Sequence, residues 1–150
     1  METKTELISD LKRLINILND GKEGYGVAGE ATANSDLKAV FLKYSVQRAG
    51  FAQELSDHIA EHGGELDNAE ESGSGPLSAW LDVKQAISGK EDTAILAAIE
   101  TAEQKAIESY DRVIKNIEIH KDHIVMLQRQ RTGIQDALRK VEVYHQRLLK

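Results

Sequence analysis

Leucines, isoleucines and other apolar residues recur three and four positions apart over four long stretches of this 150-residue chain. That spacing constrains the fold more than any other feature, because only an α-helix brings positions three and four apart onto one face. In the first stretch, over 5–31, the stripe is Leu7, Leu11, Leu14, Leu18, Gly21, Tyr25 and Ala28. In the second, over 35–62, it is Leu37, Phe41, Tyr44, Arg48, Phe51, Leu55, Ile59 and His62. Ile95, Ile99, Ala102, Glu103, Ala106, Tyr110, Val113 and Ile117 share a face over 92–118. Ile124, Leu127, Arg131, Ile134, Leu138, Val141, His145 and Leu148 do so over 120–149. A single proline in the whole chain agrees with this, since proline breaks helix interiors.

The joints set the topology. Asn34 or Ser35 can cap the second helix, and Gly63-Gly64 ends it. The first two helices are separated by so few residues that they are expected to be antiparallel neighbours. The last two turn tightly near Ile119 in the same way. Between these hairpins lies a long connection, 63–91. Glu65 to Gly75 is polar and rich in Gly and Ser, Pro76 opens a short helix over 77–87 that carries Trp80 and Leu81, and Gly89 closes it. Such a connection can run the length of a helix bundle, with Trp80 pinning it down, so that the third long helix runs parallel to the second. Two antiparallel hairpins joined by a long crossover resemble the layout of a ferritin-like four-helix bundle, and one all-α domain over 1–150 is the expectation. Gly21, Gly24, Gly26 and Gly29 each cost up to about 1 kcal/mol relative to Ala inside a helix. They are read as sites of close helix contact or a local bend, with a functional kink that re-aims Glu23 into the core as the alternative.

Composition narrows the chemistry. Net charge is -6, which disfavours nucleic acid and anionic membranes as partners. There is no cysteine, so disulfides, thiolate catalysis and Cys-ligated zinc are excluded. No stretch approaches the roughly 18 apolar residues of a membrane span, and Met1 to Glu6 lacks the pattern of a secretory signal. A cytoplasmic, bacterial-type protein is the expectation. The last helix is mildly basic through Arg129, Arg131, Arg139, Lys140, Arg147 and Lys150, read as a solvated face, with docking to an acidic partner or subunit as the alternative.

The residues expected at mid-height carry the functional argument. Carboxylate di-iron bundles need a Glu from each of two helices and Glu-x-x-His from the other two, all at one level. No Glu-x-x-His lies at that level here: Glu54 and His58 are four apart, and Glu142 and His145 fall near the end of the last helix. His62, His120 and His123 also fall near helix ends. With about 100° per residue, mid-height instead holds Lys22, Arg48, Glu103 and, on the last helix, Gln130 or Arg131. One clear carboxylate among up to three cations is a poor site for two divalent ions. An Arg48–Glu103 ion pair within a structural polar core of Lys22, Arg48, Glu103, Gln130 and Arg131 is the better reading. Glu23, Glu54, His58, Glu100 and Glu103 are the fallback metal ligands. Tyr25, Tyr44 and Tyr110 are expected in the core, each with its hydroxyl bonded to a polar group.

The chain resembles an uncharacterised bacterial family of ferritin-like four-helix-bundle proteins, a domain of unknown function. The residues that carry the resemblance span nearly the whole chain. They are Asp20-Gly21-Lys22-Glu23-Gly24-Tyr25, Phe51-Ala52-Gln53-Glu54-Leu55 with Gly63-Gly64-Glu65, Trp80-Leu81-Asp82-Val83-Lys84, Glu100-Thr101-Ala102-Glu103 with Tyr110, and Arg129-Gln130. The resemblance implies a ferritin-like fold and brings no established activity. Where that family often shows a His-Asp pair late in the last helix, this chain has Leu138-Arg139.

The first functional reading is therefore a non-enzymatic structural or protein-interaction module that binds an unknown protein partner or itself, with no cofactor. The alternatives are a di-iron or di-manganese oxidoreductase or metal-storage protein, with iron or manganese as cofactor, and a small-anion-binding bundle using Arg48, Lys22 or Arg131.

Overall fold

The computed structural model describes residues 4–61, 77–89, 91–116 and 121–149. Apart from 32–34 and Glu91 the described residues are helical, and they contain no strand. The helices are α1 (Lys4–Ala31), α2 (Ser35–Glu61), α3 (Leu77–Gly89), α4 (Asp92–Asn116) and α5 (Lys121–Leu149). Gly63-Gly64, Glu65 to Pro76, His62, Ile117 to His120 and Lys150 lie outside the described residues, so the expected end of the second helix and the turn near Ile119 do too.

Local chemistry accounts for the ends that can be seen. The Asn34 side chain accepts hydrogen bonds from the backbone N–H groups of Asp36 (2.9 Å) and Leu37 (3.1 Å), two donors that the first turn of α2 leaves without partners. Lys38 Nζ donates to the carbonyl of Gly29 near the end of α1 (2.7 Å), where the helix dipole favours a cation. The buried Thr32 hydroxyl donates to Asp92 at the start of α4 (2.8 Å), joining the α1–α2 turn to the α4 N-terminus.

Contacts between helices fix their directions. Ser45 Oγ bonds to the carbonyl of Lys22 and Lys38 to that of Gly29, so α1 and α2 are antiparallel. Tyr110 meets Gln130 and Glu100 meets His145, so α4 and α5 are antiparallel. Tyr25 meets Glu103 and Thr32 meets Asp92, which sets α1 against α4. Gln130 meets Glu54, which sets α5 against α2. It follows that α2 and α4 run parallel, as a long crossover between the two hairpins requires. No helix among the described residues is long and apolar enough to cross a membrane.

The core divides in two. One part gathers Leu11, Leu14, Leu18, Leu55, Ile59, Val113, Leu127 and Ile134. The other holds Tyr25, Phe41, Tyr44 and Trp80 with Leu37, Ile95, Leu96, Ile99 and Val141. The short helix α3 joins the aromatic part by laying Trp80, 2% exposed, on α1. Gly24 makes room for it: a Cβ there would stand 2.8 Å from Trp80 Cζ3, far inside van der Waals contact. Gly21 gives room to Arg48 as well, since its Cβ would lie 3.3 Å from Nη1 and 3.4 Å from Trp80 Cζ2. These two glycines are places of close approach inside an unbroken helix.

The stripe on α5 differs from expectation. Its buried residues are Leu127, Gln130, Ile134, Ala137, Leu138 and Val141, whereas Arg131 is half-buried and Leu148 is 40% exposed. Both Gln130 and Arg131 complete a run of threes and fours with Leu127 and Ile134. The helix turns the neutral amide inward, where it bonds Tyr110, Glu54 and the Phe51 carbonyl.

Candidate functional site

Between the two parts of the core lies a polar layer built by all four long helices. Arg48 of α2 and Glu103 of α4 are at its centre, 1% and 0% exposed. Arg48 Nη1 donates to Glu103 Oε1 (2.7 Å) and Nη2 to Oε2 (2.6 Å), a bidentate fork in which both carboxylate oxygens are engaged. The third guanidinium nitrogen, Nε, donates to Gln47 (3.0 Å). The guanidinium stands over the Tyr25 ring, 5.3 Å from its centroid, and the Tyr25 hydroxyl donates to Glu103 Oε2. Burial would by itself weaken the protonated guanidinium, but the charge and hydrogen bonds of Glu103 outweigh it and raise the Arg48 pKa further. Burial and the Glu103 charge push the Tyr25 hydroxyl well above its ordinary value, so it stays a proton donor.

A second branch faces the α2–α5 side. The Tyr110 hydroxyl donates to Gln130 Oε1 (2.7 Å), and Gln130 Nε2 donates to Glu54 Oε1 (2.8 Å) and to the carbonyl of Phe51 (3.3 Å). Arg129 closes the branch with an ion pair to Glu54. Burial works to raise the Glu54 carboxyl, and the hydrogen bonds from Arg129 and Gln130 overcome it and hold the group below its usual range. Burial raises the Tyr110 hydroxyl in its turn.

The structure thus brings together Arg48, Glu103 and Gln130 of the expected polar core, and leaves out two members. Lys22 is exposed, and the position that faces Arg48 is its neighbour Gly21. The slot on α1 is already filled by Arg48 and Trp80, so it takes a residue without a side chain and the lysine turns to solvent. Arg131 pairs with Asp111 on the outer side of α4, through Nε (2.5 Å) and Nη2 (3.2 Å). Tyr25 and Tyr110 bond as expected. Tyr44 packs on the Tyr25 ring with centroids 5.7 Å apart, and no partner for its hydroxyl is found among the described residues.

The fallback ligands are scattered. Glu23 is exposed and pairs with Lys84 of α3 (3.0 Å), so the unbroken α1 does not re-aim it inward. Glu54 is held by Arg129 and Gln130, Glu100 by His145 Nδ1 (2.7 Å), and His58 is half-buried one turn beyond Glu54. Among the described residues no group of three or more His, Asp or Glu side chains is placed to hold a metal ion. Three participants were missed by sequence reasoning, and Arg129 is one of them, read only as part of a solvated basic face. Gln47 lies off the apolar stripe, and Glu54 was weighed only as a metal ligand. For Glu54 the available signal was its position one turn from the core face, level with Gln130.

Comparison with known families places this geometry in a group without an assigned role. Residues 6–116 match the family described as "Domain of unknown function (DUF2383)". No curated protein matches the chain.

Proposed function

The chain belongs to that family of domains of unknown function, and from the geometry of its core we propose that it is a ferritin-like four-helix bundle serving as a structural or protein-interaction module rather than as a metal enzyme. Residues 1–150 form one domain in this reading. Support for the ferritin-like arrangement comes from the directions of the helices: α1 and α2 form one hairpin, α4 and α5 another, and α2 runs parallel to α4. That relation needs the chain to cross over between the hairpins, and α3, which lies between them in sequence and packs on α1 and α4, supports such a crossover.

The observation that carries the reading is the state of Glu103. It is the one fully buried carboxylate among the described residues, and Arg48 and Tyr25 together occupy both of its oxygens. A pair of divalent ions needs several carboxylates with free lone pairs to balance its charge. This level offers Glu103, already neutralised by a guanidinium, and the half-buried Glu54, already held by Arg129 and Gln130, so the donor set does not fit a di-metal centre. An anion site fits no better, because every guanidinium nitrogen of Arg48 has an acceptor within the protein.

Metal content of protein expressed with added iron and manganese and purified without chelator tests the proposal, together with melting temperatures with and without each ion. The expected result is no stoichiometric metal and no shift in melting. About two metals per chain with clear stabilisation would overturn it and make oxidation chemistry or metal storage the better reading.

A further inference from the structure

The outward face of α2 sets small and apolar residues among exposed charges. At about 100° per residue, Ala39, Leu42, Val46, Gly50, Gln53, Asp57 and Ala60 lie opposite the core face of Leu37, Phe41, Arg48 and Leu55, and all seven are exposed. Val46 is 72% exposed, the highest value of any large apolar residue among those described, while Leu42, 43% exposed, lies at the edge of this face and also packs on α1 at Gly29. No described exposed position of α4 holds a large apolar residue, whereas α5 exposes Val125 and Val143 along its length.

Gly50 sharpens the contrast. Glycine inside a helix costs about 1 kcal/mol relative to alanine. At Gly21, Gly24, Gly29 and Gly133 that cost is explained, because a Cβ would press on a neighbouring side chain. At Gly50, in the middle of α2, a Cβ would meet nothing within 4 Å. The chain's own packing gives no reason for a glycine there, whereas a second backbone approaching from outside would.

Charge placement says which backbone. Lys43 and Asp57 are both exposed and lie two helical turns to either side of Gly50. Two α2 helices crossing antiparallel at Gly50 would set each Lys43 against the partner's Asp57, with Glu61 one turn further on. A parallel crossing would oppose like charges at both places. We infer that this face binds a second copy of the same chain, α2 against α2, antiparallel and centred on Gly50, with Val46 and Leu42 packed into the seam. The inference rests on the reading of the chain as an interaction module and names its partner. Small single-helix interfaces are weak, so the dimer is a concentration-dependent one.

Sedimentation equilibrium over a wide concentration range tests it, with metal content measured on the same samples. The wild type is expected to pass from monomer to dimer. Val46→Arg raises the dissociation constant at least about tenfold. Gly50→Arg abolishes the dimer while leaving the monomer as stable or more so, because arginine is the better helix former. Circular dichroism checks that both variants fold. Lys43→Glu and Asp57→Lys each weaken the dimer, and the double variant restores it. Gly50→Cys, in a chain with no other cysteine, is expected to oxidise to a linked dimer. A monomer at every concentration, or a dimer indifferent to Val46→Arg and to the charge swap, overturns this inference. If the same samples bind no metal, the proposed function is untouched by that failure; metal uptake would sink it separately.

Discussion

Among the described residues two arginine–glutamate pairs join helices, one across the interior of the bundle and one at its surface, and what separates them most is water. Arg48 and Glu103 have side chains 2% and 0% exposed. Arg129 and Glu54 are 55% and 38% exposed. The inner pair is a bidentate fork with a tyrosine hydroxyl and a glutamine carbonyl completing it. The outer pair has Gln130 on one side and solvent on the other. A charge taken out of water is tolerable only when its partner and hydrogen bonds replace what hydration supplied. Inside, therefore, each residue is indispensable to the other. Outside, water stands ready to replace either one.

The largest expected effect follows from that difference. Arg48→Ala or Glu103→Ala should lower unfolding free energy by about 3–5 kcal/mol, since each leaves a buried charge alone. Urea denaturation measures it, and a mutant as stable as wild type would show that the two charges are not buried together. Replacing both at once by apolar residues of similar volume should cost much less than either alanine, because no orphaned charge remains.

Tyrosine substitutions divide the layer more finely. Tyr25→Phe removes a donor from the buried Glu103 Oε2 and should cost about 1–3 kcal/mol. Tyr110→Phe leaves Gln130 Oε1 without its donor and is expected near the low end of that range, about 1 kcal/mol, because Gln130 borders the wetter branch. Equal losses from the two in the same denaturation series would argue that the branches are equally dry.

Asp20 offers a pH-dependent comparison at the α1–α3 edge. Burial and the nearby Glu23 raise its pKa from 3.8 to about 6, against the opposing pull of Lys84. A carboxyl whose folded pKa is raised contributes stability that is fully present below about pH 4, and that is lost as pH rises through about 6. Asp20→Asn should remove this dependence and leave the protein about 1 kcal/mol more stable at pH 7, after allowance for solvent screening of a half-buried group. Melting temperatures across pH 4 to 8 check it, and identical profiles for mutant and wild type would refute it. The smallest effect belongs to the outer pair: Arg129→Ala should cost no more than about 0.2–1 kcal/mol. A loss as large as that of Arg48→Ala would erase the distinction between inner and outer pairs.

Much of this was legible from residue spacing, and the failures are instructive. Arg48 and Glu103 sit on stripes that are otherwise apolar, so their burial and their pairing could both be expected. Lys22 and Arg131 were assigned to the core side of their helices, and both turn outward. Periodicity places a residue to within about one position, or 100°, which does not separate Gly21 from Lys22 or Gln130 from Arg131. That choice was made by what occupied the space: Arg48 and Trp80 fill the slot at Gly21. Glu23 and Glu100 looked available as ligands because sequence shows a carboxylate without its partner. Lys84 and His145, from distant parts of the chain, are those partners.

Sequence alone determined the helices, the antiparallel hairpins and the presence of a charged pair on apolar faces, because each depends on periodicity, on short joints or on a few punctuating residues that act locally. Tertiary structure decided which oxygens Arg48 holds, which polar groups Tyr25 and Tyr110 bond, that Gly24 is a seat for Trp80, and that Lys22 and Arg131 stay outside. These depend on distances between residues far apart in the chain and on competition for the same few cubic ångströms. No one-dimensional pattern records that competition, and it is settled only when the helices pack.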